Sequence, residues 1–281
     1  MGLKDANLYV RYHEALTAAG IAVLVIDYRG FGDSEGDRET IDPHRQVEDL
    51  VNGVTYLTTR HDVIPDRIGM FGSGGTGGGN AVVGAARDPR VACAVAQFPI
   101  ADGGDWLKRM RSEYEWEQLL VRLEEDRRKR VEVGTGEMVD PRREIMIPTP
   151  ERNSTRIKSD VDDRVPMSVS LQSAQSIIDY RPLDFVDRIA PRPLMIIAVE
   201  GDTVTPTDHS VALYEKARAP KQLVMQKNTT HYAAYDRYWE TVTPLIVEWF
   251  QKGLIGGDVV VETTNEDGSA NTRIVNLGDA G

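Results

Sequence analysis

The stretch "RIGMFGSGGTGGGNAVV", Arg67 to Val83, decides the fold. An apolar run ends in a cluster of glycines, and helix-compatible residues follow. That is the layout of an elbow, where a strand turns sharply into a helix and presents one side chain at its apex. Glycine suits such a turn because it accepts backbone conformations closed to other residues. The apex position here is Gly74, which has no side chain to present.

Working outward, apolar runs alternate with amphipathic ones. Upstream, "LYVRYHEALTAAG" (8–20) has apolar residues at helical spacing and stops at Gly20. "IAVLVIDY" (21–28) is a continuous apolar run, which predicts a strand buried on both faces. A turn-rich loop, "RGFGDSEG", and a helix, "HRQVEDLVNGVTYLTT", lead to the strand of the elbow. "GGNAVVGAARD" reads as the next helix and "VACAVAQFPI" as the next strand. Beyond residue 180, "PLMIIAVEGD" is a strand, "DHSVALYEKA" a helix, "KQLVMQ" a strand and "YWETVTPLIVEWFQKGL" a last helix. Such alternation implies a mainly parallel sheet joined by right-handed crossovers.

Residues 104–180 interrupt this rhythm with charged, helix-prone and then loop-rich sequence, which reads as an inserted helical cap. The expected organisation is core in 1–103, cap in 104–180, core again in 181–256, and a tail in 257–281. In the tail, two β-prone arms flank "NEDGS", a hairpin signal over residues 258–277.

Composition narrows the function. The 281 residues carry a formal net charge of -11, which argues against non-specific nucleic-acid binding. No apolar run approaches the ~18 residues of a membrane span, and the polar start is no signal peptide. The single cysteine, Cys93, lies in an apolar run and excludes a disulfide framework, so a reducing cytoplasm is expected. No spacing of His, Cys and Asp suggests a metal site. "GSGGTGGG" lacks the Lys-[Ser/Thr] ending of a phosphate-binding loop, and no acidic partner completes a dinucleotide fingerprint. No cofactor is expected, and the expected partner is a small-molecule substrate.

Three sites fall at the C-terminal ends of the expected strands, where open α/β sheets hold their active sites. They are the elbow at Gly72 to Gly78, "VEGDTVTP" with Asp202, and "TTHYAAY" with His231. With these segments in this order, and with "GIAVLVIDYRGFGDSEG" before them, the chain resembles the α/β-hydrolase superfamily over roughly residues 3–253. The branch it is most similar to is that of dienelactone hydrolases and Xaa-Pro dipeptidyl-peptidase-like esterases and peptidases. The resemblance implies a Ser-His-Asp triad, in which Asp202 matches the acid and His231 the base. In the branch pattern G-x-S-x-S-G-G, the nucleophile position falls on Gly74. The N–H of Gly75 matches an oxyanion donor, and the helix behind it favours negative charge. Two hydroxyls stand nearby, Ser73 one residue before the apex and Thr76 two after it. Both are weaker nucleophile candidates, since Ser73 should point away and Thr76 should cap or pack in the first helical turn.

The resemblance also implies strands, and half of an oxyanion hole, ahead of the first helix. They are not in this sequence, and a split gene with a partner chain, a mis-set or truncated start and a divergent fold are competing explanations. The expectation is an oligomer in which a second chain or the tail hairpin completes the sheet edge. Trp106, Tyr114 and Trp116 are candidate pocket liners, or else core of the cap. Three functional readings follow. One is a hydrolase acting on an ester, lactone or amide with a His-Asp base and no serine nucleophile. The second is a lyase or cyclase using the same base. The third is a non-catalytic homologue, or a subunit of a heteromeric hydrolase. Whether Gly74 is natural or an engineered replacement is open in the sequence.

Overall fold

The computed structural model describes residues 3–5, 7–151, 164–255, 258–264 and 270–276. By packing it divides into two compact units: Met1–Val10, Val25–Asp49 and Asp102–Arg181 form one, and Arg11–Leu24, Leu50–Ala101 and Pro182–Gly281 the other. The boundaries expected for the cap, 104–180, fall inside the third stretch of the first unit. Residues 25–49, read from the sequence as core, group with that stretch.

In chain order the elements are α1 (Asn7–Ala18), α2 (Pro43–Thr58), β1 (Ile68–Ser73), α3 (Gly75–Arg87), β2 (Val91–Gln97), α4 (Gly103–Arg109) and α5 (Glu113–Val133). There follow β3 (Met138–Val139), β4 (Val169–Ser170), α6 (Gln172–Ile178), β5 (Leu194–Val199), α7 (Thr207–Lys216), β6 (Lys221–Gln226), α8 (His231–Arg237), α9 (Trp239–Ile255), β7 (Asp258–Thr264) and β8 (Ala270–Asn276).

The second unit is built on a four-stranded parallel sheet in the order β1-β2-β5-β6. Side chains alternate across it, as strand geometry requires. Ile68 and Met70 of β1, Ala94 and Ala96 of β2, and Leu194 and Ile196 of β5 point to one face. There they pack with Val54 of α2, Ala81, Val82 and Ala85 of α3 and Leu213 of α7. The opposite face carries Gly69, Phe71, Cys93 and Gln97. Phe71 stacks on Tyr12 of α1 with ring centroids 5.7 Å apart. The indole N–H of Trp249 in α9 donates to the carbonyl of Ala94 at 3.2 Å. Helices thus cover both faces, and the chain has the α/β-hydrolase fold. Cys93 is fully buried here, and burial pushes its thiol pKa up, away from thiolate chemistry.

One expected strand is not a strand. Residues 21–28 join no ladder, and Ala22 and Leu24 are exposed. The physical reason lies in the sheet: among the described residues nothing pairs with β1 along its outer side. An apolar run becomes a strand only when a neighbour supplies the other half of its hydrogen bonds. The tail arms do pair, antiparallel from Asp258↔Asn276 to Thr264↔Ala270, but they form a sheet of their own. They do not extend the main sheet in this chain, which corrects that version of the edge-covering expectation. The "NEDGS" turn lies outside the described residues.

In the first unit, the helix-prone stretch after residue 104 is two helices. Ser112 starts the second with a capping box, its hydroxyl accepting from the N–H of Glu115 while that glutamate accepts from the N–H of Ser112. Gly134, at φ 77°, ends it in the left-handed conformation. Near the start of the chain, Asp27 is a hub with its carboxylate buried. It accepts from the N–H of Lys4 at 2.8 Å, the Lys4 ammonium at 2.7 Å and the N–H of Asp33 at 3.1 Å. Burial alone pushes the Asp27 carboxyl pKa up, but the donors of Lys4 and Asp33 outweigh it and hold the group below the usual range.

Candidate active site

Three loops at the C-terminal ends of β1, β5 and β6 build the site, all within the second unit. At the elbow, β1 ends at Ser73 and α3 begins at Gly75. Gly74 joins them at φ 77° and ψ 167°, a region essentially confined to glycine. Its N–H donates to the carbonyl of Gln97 at 3.0 Å, and its carbonyl accepts from the N–H of Gly78 at 2.6 Å. The turn is packed hard on either side. A Cβ at Gly72 would lie 2.1 Å from the carbonyl oxygen of Gly77, and one at Gly78 would lie 2.8 Å from that of Gln97. At Gly74 a Cβ would meet no heavy atom within 4 Å. As the first residue of α3, Gly75 has an N–H that the helix's own ladder does not use.

Asp202 follows β5 in a tight loop. Its Oδ1 accepts from the N–H groups of Val204 at 2.7 Å and Thr205 at 3.0 Å. Its Oδ2 accepts from the Thr205 hydroxyl at 3.0 Å and lies 2.7 Å from Nδ1 of His231. The loop is closed from behind, where the Thr207 hydroxyl donates to the carbonyl of Val199 and accepts from the N–H of Asp202. Asp202 acts as acceptor throughout, so Nδ1 of His231 carries the proton and the ring's lone pair lies at Nε2. The imidazole is 4% exposed, and among the described residues its hydrogen bonds run through Nδ1 alone. A buried imidazole oriented in this way can take a proton from a group brought to Nε2.

His231 is not a loop residue, as the sequence suggested, but the first residue of α8. The helix places Tyr235 one turn on. Its phenol lies 2.8 Å from the Ser73 hydroxyl, which also donates to Oε1 of Gln97 at 2.9 Å. The Gln97 side-chain amide in turn donates to the Tyr12 hydroxyl at 3.2 Å. Ser73 is therefore tied to the α1 and α9 face of the sheet and makes no bond to His231. Thr76 stands in the first turn of α3. Phe98, directly after β2, packs against both His231 (5.1 Å between centroids) and Tyr235 (5.0 Å). Its backbone has φ 54°, a strained value for a bulky residue, of the kind that concentrates at functional sites.

Sequence reading missed Thr205, Tyr235 and Phe98. Only Tyr235 had a readable signal, its i+4 spacing from His231. The aromatic candidates belong to the first unit: Trp106 is 2% exposed in its core, Trp116 is half-buried and Tyr114 is 70% exposed. His209 is buried with Nδ1 accepting from the N–H of Ala101 at 3.0 Å, a structural role. No cluster that could hold a metal ion occurs among the described residues. No helix among them is long and apolar enough to cross a membrane.

The family model for X-Pro dipeptidyl-peptidase (S15 family) matches residues 3–233. The chain belongs to this family. Its relatives within reach are diverse. The "uncharacterized 31.7 kDa protein in traX-finO intergenic region" of Escherichia coli is 28% identical over 248 residues, covering 86% of this chain and 85% of the relative. The acyltransferase drtE of Aspergillus calidoustus is 29% identical over 254 residues, covering 84% of this chain and 79% of the relative. Among solved structures, the α/β hydrolase GrgF from Penicillium sp. sh18 superposes with a TM-score of 0.76 at 24% identity. That match covers 90% of this chain and 87% of that one, and it carries the fold. S15-family membership and these relatives make the chain a hydrolase- or acyltransferase-type α/β hydrolase.

Proposed function

We propose that the chain catalyses attack on a carbonyl substrate, an ester, thioester, lactone or amide, with His231 as general base. Asp202 orients the imidazole, the N–H of Gly75 faces the developing oxyanion, and Gly74 occupies the position that holds the nucleophilic serine in the family pattern. The observation that carries the reading is the 2.7 Å contact between Nδ1 of His231 and Oδ2 of Asp202, within a carboxylate saturated by three further donors. A histidine kept only for packing has no need of so complete a support. With glycine at the apex, the chain cannot form an acyl-enzyme at that position, and the base must act on a nucleophile that is not residue 74. Acyl transfer by drtE, as its name states, is the related chemistry among the relatives.

The test is turnover of p-nitrophenyl acetate by the chain and by His231→Ala. General-base assistance contributes on the order of 10²–10⁴-fold, and the variant should lose turnover on that scale while keeping its circular-dichroism spectrum. Equal turnover by the two proteins rules the reading out.

A further inference from the structure

We propose that the open space over Gly74 seats a small external acceptor, an alcohol or a thiol, and that acyl transfer proceeds in one displacement without an acyl-enzyme. The inference rests on the His231 base reading above and adds the second substrate. Its first support is the contrast among the elbow glycines. Gly72 and Gly78 are closed by backbone atoms under 3.0 Å from where a Cβ would stand, whereas Gly74 has nothing within 4 Å. Gly77 is open too, but it lies within α3, so Gly74 is the open position at the apex, the place to which the turn directs a substituent.

The second support is independent. His231 is 4% exposed, Nδ1 is fixed by Asp202, and no described group takes Nε2. Nε2 is not among the fully enclosed polar atoms, so a polar hydrogen from outside the chain can reach it. The two features are joined through short links. The N–H of Gly74 donates to the carbonyl of Gln97 at 3.0 Å, and the next residue, Phe98, lies against the His231 ring. Ser73 and Tyr235 make a second link, from the residue before Gly74 to the turn after His231.

The Ser73 hydroxyl does not compete for the role. Ser73 is bonded to Gln97 and Tyr235 on the α1 and α9 face. In the step itself, the acceptor's X–H proton passes to Nε2 of His231 as the X–C bond forms at the carbonyl carbon. The carbonyl oxygen takes the negative charge beside the N–H of Gly75. Collapse re-forms the C=O and breaks the bond to the leaving group, and the imidazolium returns the proton to that group. No oxidant, reductant or further reactant is needed.

The experiment follows p-nitrophenol release and methyl acetate formation from p-nitrophenyl acetate as methanol is increased, with tert-butanol as a solvent control and His231→Ala as background. The expected result is release that rises hyperbolically with methanol, by about fivefold at saturation, and methyl acetate in step with it. Neither effect should occur with tert-butanol or in His231→Ala. Histidine-dependent release that ignores methanol, whether or not methyl acetate forms, overturns the single displacement and leaves the base reading standing. Release no faster than in His231→Ala at any methanol concentration overturns both.

Discussion

The hydroxyl of Ser73 and the phenol of Tyr235 lie 2.8 Å apart, and this contact ties the elbow to the helix that carries His231. Ser73 is the last residue of β1 and Tyr235 stands one helical turn after His231. Tyr235→Phe removes the contact while Ser73 keeps its bond to Gln97. The expected loss is about 1 kcal/mol, the usual net worth of such a bond. Ser73→Ala should cost a similar amount, and the double variant less than the two together. Urea denaturation of the four proteins closes the cycle, and strictly additive losses would show that the contact contributes nothing.

Asp202→Asn should be more damaging to turnover than to the fold. The two N–H groups of Val204 and Thr205 demand an oxygen at the Oδ1 position. The new amide nitrogen must then face Nδ1 of His231 and donate to it. That moves the imidazole proton to Nε2 and leaves no lone pair there. Histidine-dependent turnover should fall by about 10²–10⁴-fold. Unchanged turnover would mean that the tautomer does not matter.

The elbow glycines should separate by what surrounds them. Gly72→Ala would put a Cβ 2.1 Å from the carbonyl oxygen of Gly77 and 2.9 Å from Cβ of Ala81. Overpacking against backbone should cost about 3 kcal/mol. Gly77→Ala, within α3 and with nothing within 4 Å, should instead gain roughly 0.5–1 kcal/mol from helix propensity. Thermal melts of the two variants test the contrast, and a shift of the same sign in both would contradict it.

The Asp27 hub should make stability depend on pH in a stated direction. Its folded pKa lies below the unfolded value near 4. The stabilisation it provides is therefore present above about pH 4 and is lost as pH falls through the folded value. Asp27→Asn should be less stable than the parent by roughly 1–3 kcal/mol at pH 7, with the gap narrowing at pH 3. A gap of constant size across that range would mean that the carboxylate's charge is not what Lys4 and Asp33 recognise.

Much of the fold was legible because its signals are local. The glycines of the elbow, the apolar runs of β1, β2, β5 and β6 and the periodic helices between them each announce themselves within a dozen residues. The order of Gly74, Asp202 and His231 was readable for the same reason. Residues 21–28 misled because a strand is a property of two segments, and the composition of one cannot report whether the other is there. Thr205 was hidden for a related reason. A threonine three residues after an aspartate looks like any turn residue until the loop closes and brings its hydroxyl onto the carboxylate. Phe98 was invisible because backbone strain comes from what surrounds a residue, not from its type.

The conformation of Gly74 bears on how this position can evolve. At φ 77° and ψ 167°, any side chain at residue 74 carries a backbone cost of about 1–3 kcal/mol, however much room lies above it. A single substitution to serine would thus meet a barrier in the main chain, and lowering it requires re-turning the peptide links held by Gln97 and Gly78. Position 74 is thus guarded by its main chain and not by its neighbours: the space above it is open, and the peptide geometry beneath it is what selects glycine.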